Sequence, residues 1–295
     1  MQLKQKTGIF CAVLAAALYS LNAPFSKLLL SDVSPTVMAA LLYLGAGSGL
    51  FIVRSAGRRG GRFAREMPLT KADLPYTLGM VTLDVAAPIL LMTGLRMTTA
   101  ANVSLLNNFE IVATSLIAFL LFGEKISPRL WLAIGLVTTA SMILSFEGAE
   151  SFSFSPGSVF VLLACVCWGF ENNCTRSLSD KDPCQIVIIK GFGSGLGSLV
   201  IALFSGERFP DILPLLAALL LGFVAYGLSI LFYIYAQRFL GAARTSAYYA
   251  VAPFIGAGVS LLAFRQLPSL SFLLALTIMA LGAYFASCAP CKEEK

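Results

Sequence analysis

No histidine occurs anywhere in the 295 residues. That absence removes Ser-His and Cys-His nucleophilic chemistry, histidine metal sites and histidine proton relays. Charge is also scarce. Asp, Glu, Lys and Arg make up 12% of the chain, about half the roughly 25% usual in a soluble domain. There is no Walker-type phosphate loop, and no polar stretch is long enough for a nucleotide-using domain. The seven cysteines are an odd number and lie mostly in or beside apolar runs, where a free thiol behaves as a small hydrophobe, so no disulfide framework is expected. Cys288-Ala-Pro-Cys291 has CxxC spacing but no second pair and no βαβ context, so it earns no redox or metal role. No metal site and no cofactor is expected.

What the chain has instead is apolar length. Hydrophobic residues reach 58% and mean hydropathy is +0.83, which points to an all-α integral membrane protein. A span takes about 20 apolar residues. Ten candidate transmembrane helices emerge, at 8–30, 35–54, 74–95, 99–122, 129–146, 157–178, 184–205, 213–237, 241–263 and 269–288. The first is longer than a signal-peptide core, contains Pro24 and Lys27 and precedes further spans, so it reads as a helix, not a cleaved segment. The net charge of +6 sits in short loops between apolar runs and is a topology signal, not a nucleic-acid footprint. With the N-terminus inside, only Lys27, Arg96, Arg208 and Arg265 fall in outer segments and Lys190 falls within a span. That bias places both termini in the cytoplasm.

The halves are related. Leu18–Asn22 followed by Lys27 lines up with Cys167–Glu171 followed by Arg176. Thr99–Glu124 lines up with Gly241–Gln266 at an offset of 142, pairing Arg96 with Arg238, Ser104 with Ser246, Phe122 with Phe264 and Asp84 with Tyr226. Five spans per half is an odd number, so the second half must run inverted, a plan that recurs in carriers with a central site.

Four ionisable groups lie well inside spans: Asp84, Glu110, Glu171 and Lys190. Hairpin symmetry about residue 97 puts Asp84 and Glu110 at one level near the midplane; symmetry about residue 180 puts Glu171 and Lys190 level with each other, nearer the cytoplasm. Consecutive helices are usually neighbours, so a Glu171–Lys190 ion pair is expected, either as a helix lock or as part of a site. Asp84 and Glu110 have no basic partner at their depth in the first half. An intramembrane acid costs about 2.5–3.5 kcal/mol on insertion scales, so these two are read as binding a proton or a cationic substrate. Asn22, Asn107 and Asn172 are intramembrane amides that could bond a substrate or cross-link helices, and Asn107 shares a helix face with Glu110 three residues later. Trp168 and Tyr226 lie near mid-span and are candidate cavity walls. Gly191, Gly193, Gly195 and Gly197 form two ridges suited to close helix packing. Glu124 beside Lys125 and Arg129 reads as an exposed salt bridge at a helix end.

The order and spacing of several short motifs resemble the EamA-type branch of the drug/metabolite transporter superfamily. They are Tyr19-x-x-Asn22 with Lys27, Thr98–Ala101, Phe122-Gly123-Glu124-Lys125-Ile126-Ser127, Trp168-Gly169-Phe170-Glu171-Asn172-Asn173 with Arg176, and Ala252-Pro253. Two positions depart from the pattern. Phe109-Glu110-Ile111 stands where the family commonly has a proline, and Gln266 stands at the helix-end glutamate of the second repeat. The resemblance implies two five-helix repeats, at 1–147 and 156–295, and a non-enzymatic secondary transporter. Such a protein would move small metabolites or drug-like compounds across a lipid bilayer by alternating access, as an exporter, with protons as the candidate coupling ion. An uncoupled facilitator or channel-like permease and an intramembrane enzyme are the alternatives.

Overall fold

The computed structural model describes residues 2–58, 67–123, 126–145, 155–178, 181–240 and 248–287. Helices fill them, and no strand occurs among the described residues. In order they are α1 (Gln2–Ser20), α2 (Asn22–Leu29), α3 (Pro35–Arg58), α4 (Leu74–Met97), α5 (Ala100–Leu106), α6 (Phe109–Phe122) and α7 (Pro128–Ser145). Then follow α8 (Pro156–Arg176), α9 (Pro183–Phe204), α10 (Ile212–Gly222), α11 (Ser229–Leu240), α12 (Ala252–Ala263) and α13 (Leu270–Ser287).

Proline marks the starts. α3, α7, α8 and α9 each open on one, where its missing N–H is one of the helix's orphan donors anyway. Asp182 caps α9 by accepting from Gln185 N at 3.2 Å, and Thr99 caps α5 by accepting from Asn102 N at 3.2 Å. Gly123 ends α6 in the left-handed region at φ 66°, and Gly206 does the same after α9 at φ 67°.

Eight of the expected spans are helical segments long and apolar enough to cross a membrane, from Lys6–Leu29 through Ile212–Ala236. The last two expected spans appear as shorter apolar helices, Ala252–Ala263 and Leu270–Ala286. Four spans are not regular rods. The first breaks at Leu21 between α1 and α2, the fourth at Asn107-Asn108 between α5 and α6, and the eighth passes through a π-helical stretch at Phe223–Leu228. The ninth turns at Ala250-Val251, after helical Tyr248 and Tyr249 and before α12. The sequence match of the fourth and ninth spans therefore extends to where each one breaks. Glu124, Lys125, the stretch 241–247 and Cys288–Cys291 lie outside the described residues, as does the side chain of Arg238.

Packing runs between the halves more than within them. α1 packs on α11, α3 on α9, α4 on α8, α5 on α12 and α7 on α13. Small residues permit this closeness. A Cβ on Gly191 of α9 would come within 2.4 Å of Gly47 in α3, and one on Gly222 within 2.1 Å of the Leu42 carbonyl oxygen. The α9 glycines split between two neighbours: Gly191 and Gly195 face α3 at Gly47 and Leu44, while Gly193 and Gly197 face α4 at Val81 and Val85.

Polar staples hold both ends. At one end Lys27 Nζ donates to the carbonyls of Leu95, Arg96 and Thr98 at 2.5, 3.1 and 2.7 Å, satisfying the C-terminus of α4. Nearby the Glu207 carboxylate accepts from Ser34 Oγ, Thr36 Oγ1 and Val37 N at 2.6, 2.8 and 3.1 Å, at the positive end of α3. At the opposite end Arg54 pairs with Asp182 at 2.5 Å and Lys181 with Asp73 at 3.1 Å.

Candidate functional site

The interior polar groups gather in three connected places. The first is an ion triad. Lys190 Nζ of α9 lies 3.1 Å from Asp84 Oδ2 of α4 and 2.9 Å from Glu171 Oε1 of α8. All three side chains are buried. Hydroxyls hold the carboxylates from outside the triad: Tyr43 of α3 donates to Asp84 Oδ1 at 2.9 Å, and Thr175 donates to Glu171 from one turn along α8.

The expected Glu171–Lys190 pair is present, but the reading of Asp84 as an acid without a basic partner is corrected. Its partner comes from the other half of the chain. Hairpin symmetry grouped Asp84 with Glu110 because it assumed that consecutive helices pack together. α4 instead lies against α8 and α9, which brings Asp84 to Lys190.

The second place is Glu110, in the first turn of α6. Asn172 Nδ2 donates to its Oε1 at 2.7 Å and also reaches Thr114 Oγ1 at 3.2 Å. Glu110 makes no ion pair among the described residues and keeps partial accessibility.

The third is a small cavity, with room for about one water molecule, where the breaks of α1/α2 and α5/α6 meet α12. Tyr19, Asn22, Ser104, Asn107, Pro253 and Gly256 contribute to its wall. Asn107 Oδ1 is buried there with no hydrogen-bond partner among the described residues, an arrangement native interiors rarely leave without a water or ligand to satisfy it. Asn22 Nδ2 donates to Tyr226 Oη at 3.2 Å and Asn22 Oδ1 accepts from Ser26 Oγ at 3.0 Å.

Tyrosines join these places. The Tyr226 ring lies 5.2 Å from Tyr43 and 6.1 Å from Tyr19, Tyr19 lies 5.9 Å from Tyr249, and Tyr249 lies 4.9 Å from Tyr233. Tyr226 thus touches the triad through Tyr43 and the cavity through Asn22. It stands on the π-helical stretch, an element often found at functional sites.

Of the nine residues singled out from sequence, seven fall in these three places and Tyr226 joins two of them. Trp168 does not; it is packed into the main apolar core from α8. Sequence reasoning missed Thr114 and Thr175 as polar partners. A signal existed for both: each sits four residues after an intramembrane glutamate, on the same helix face. Chemically the centre holds three carboxylates and one ammonium. Unless a proton or another cation is taken up, it carries excess negative charge in a region where charge is costly.

Among the described residues no cluster of metal-ligating side chains occurs, and Cys11, Cys165, Cys167 and Cys174 are free thiols.

The model of the EamA-like transporter family matches residues 6–146 and again residues 155–288, nearly the whole chain in two successive passes. The chain belongs to the EamA-like transporter family. A relative from Methanothermobacter thermautotrophicus, described as an uncharacterized transporter, is 28% identical over 280 residues, covering 88% of this chain and 80% of that protein. A solved crystal structure superposes with a TM-score of 0.65 at 18% identity over 96% of this chain and 95% of its own, a likeness of fold alone. This EamA-like protein is therefore a helical integral membrane protein of a family that transports small molecules.

Proposed function

We propose that the chain is a secondary carrier. Ten helical segments form two inverted five-helix repeats and move a small metabolite or drug-like compound outward by alternating access through the polar centre. The helix pairing supports the repeat arrangement. Exchanging each element for its counterpart in the other half turns α1·α11 into α8·α4 and leaves α3·α9 and α7·α13 unchanged. The Lys and Arg bias supports cytoplasmic termini in what we take to be a bacterial cytoplasmic membrane.

The observation that carries the mechanism is Glu110. It is a partly accessible carboxylate in a broken membrane helix, without a basic partner among the described residues, and one turn from the unsatisfied Asn107 Oδ1. Protons exchange with substrate at Glu110, while the paired Asp84 supports the site through Tyr43 and Tyr226.

The test is flux in proteoliposomes, with a panel of amino acids, organic cations and other metabolites, with and without a pH gradient. Saturable flux that an imposed gradient drives in the wild type, and no longer drives in Glu110→Gln, is the expected result. Unchanged gradient dependence in E110Q would sink the proton assignment. Saturable flux indifferent to pH in the wild type would make the protein an uncoupled facilitator.

A further inference from the structure

Lys190 has an arrangement that a helix lock alone does not require. A lock needs one acid for one base, yet the ammonium contacts two carboxylates, Asp84 Oδ2 at 3.1 Å and Glu171 Oε1 at 2.9 Å. Each carboxylate is also held by a hydroxyl independent of the lysine, Tyr43 Oη for Asp84 and Thr175 Oγ1 for Glu171. The acids stand on different helices, α4 and α8, and the lysine reaches them from a third, α9. α9 is also held, apart from the lysine, by the Gly191–Gly47 and Gly195–Leu44 approaches and by Ser194 Oγ donating to the Val81 carbonyl at 3.1 Å. The acids and their hydroxyls thus form a preorganised two-carboxylate pocket, and the lysine supplies only the charge that fills it.

We propose that Asp84 and Glu171 form a monovalent-cation site whose resident cation is the tethered ammonium of Lys190, so that the site accepts a small free primary ammonium ion once that side chain is removed. Lys190 then plays the part that a dissolved coupling cation plays in other carriers. It joins an acid of the first half to an acid of the second without drawing on bulk sodium or potassium.

The site's geometry selects its ligand. Methylammonium presents three N–H donors on a compact head like the lysine's own. Tetramethylammonium has no N–H to give and is too broad for carboxylates this close to one nitrogen. Sodium brings charge without donors and needs oxygen ligands that the two carboxylates only partly supply.

The experiment is thermal unfolding of purified Lys190→Ala in detergent, titrated with methylammonium chloride, with sodium chloride and tetramethylammonium chloride at equal ionic strength as comparators. A ligand about 100-fold above its dissociation constant raises the unfolding midpoint by several degrees in a protein of this size. The expected result is a saturable rise of that order in K190A with methylammonium, a smaller one with sodium, none with tetramethylammonium and none in the wild type. The response should vanish in K190A combined with Glu171→Gln.

A monodisperse K190A indifferent to methylammonium overturns the proposal, as does an equal response to tetramethylammonium. Should K190A aggregate, it is prepared in methylammonium. Recovery of a monodisperse protein supports the site, and continued aggregation overturns it. The readout is binding, so it stands apart from the carrier reading, which wild-type flux tests separately.

Discussion

Asn172 of α8 donates to Glu110 Oε1 at 2.7 Å, which ties the most accessible interior acid to the opposite half of the chain. Asn172→Ala leaves that oxygen and Thr114 Oγ1 without this donor. Losing a hydrogen bond to a charged group costs about 1.5–3 kcal/mol. The expected outcome is a lower unfolding midpoint in detergent, with Asn172→Gln recovering little because its longer chain cannot place the amide at the same point. An unchanged midpoint in N172A would show that the contact is not maintained in solution.

Truncating Lys190 to methionine removes the base that pairs with two buried acids. Breaking one side of a buried ion pair costs about 3–5 kcal/mol, whereas replacing the pair together is often close to neutral. Lys190→Met should therefore be the most destabilising single change at the centre. K190M combined with Asp84→Asn should recover a substantial part of the loss, because a neutral amide can still accept from Tyr43 Oη. The unfolding midpoints of the wild type, both single variants and the double variant give the coupling directly.

Much of the architecture was legible in the sequence, and the reasons can be named. Pro35, Pro128, Pro156 and Pro183 open helices because ring geometry suits the first turn, so the starts of those spans fall within a residue of where the apolar runs place them. The break at Leu21 had a signal in Pro24, which has no N–H for the Ser20 carbonyl one turn back and whose ring clashes with it. The break at Asn107-Asn108 was not legible, because no glycine or proline lies near it. The Asp84–Lys190 contact was hidden for another reason. It arises from α4 packing across the halves, and the spacing of residues along one strand of sequence carries no information about which distant helix lies alongside. Glu171–Lys190 was visible because its two helices are consecutive.

Tyr226 touches both the triad's tyrosine and the cavity's asparagine. Tyr226→Phe keeps the ring contacts with Tyr43 and Tyr19 and removes only the acceptor for Asn22 Nδ2. A buried donor left unsatisfied costs about 1–3 kcal/mol. Substrate affinity in flux assays should weaken, with a raised KM and a smaller change in maximal rate, while stability falls modestly. Tyr226→Ala should lose both, because the ring links the tyrosine cluster. An unaltered KM in Y226F would remove this hydroxyl from the binding path.

Glycine positions separate close packing from mere flexibility. A Cβ at Gly222 would sit 2.1 Å from the Leu42 carbonyl oxygen, and one at Gly191 would sit 2.4 Å from Gly47, distances that backbone atoms cannot accommodate without moving a helix. A Cβ at Gly135 or Gly258 meets nothing within 4 Å. Gly222→Ala and Gly191→Ala should therefore reduce the yield of folded protein sharply. Gly135→Ala and Gly258→Ala should be neutral or slightly stabilising, by up to about 1 kcal/mol, through helix propensity. Gly123→Ala falls between: space is open, but φ is 66°, so the cost is that of the left-handed region, about 1–2 kcal/mol. Size-exclusion profiles of the five variants, extracted under one protocol, rank them. A G222A protein as well folded as G135A would show that α3 and α10 do not approach as closely as drawn, and the central packing of the halves would have to be rebuilt around a wider spacing.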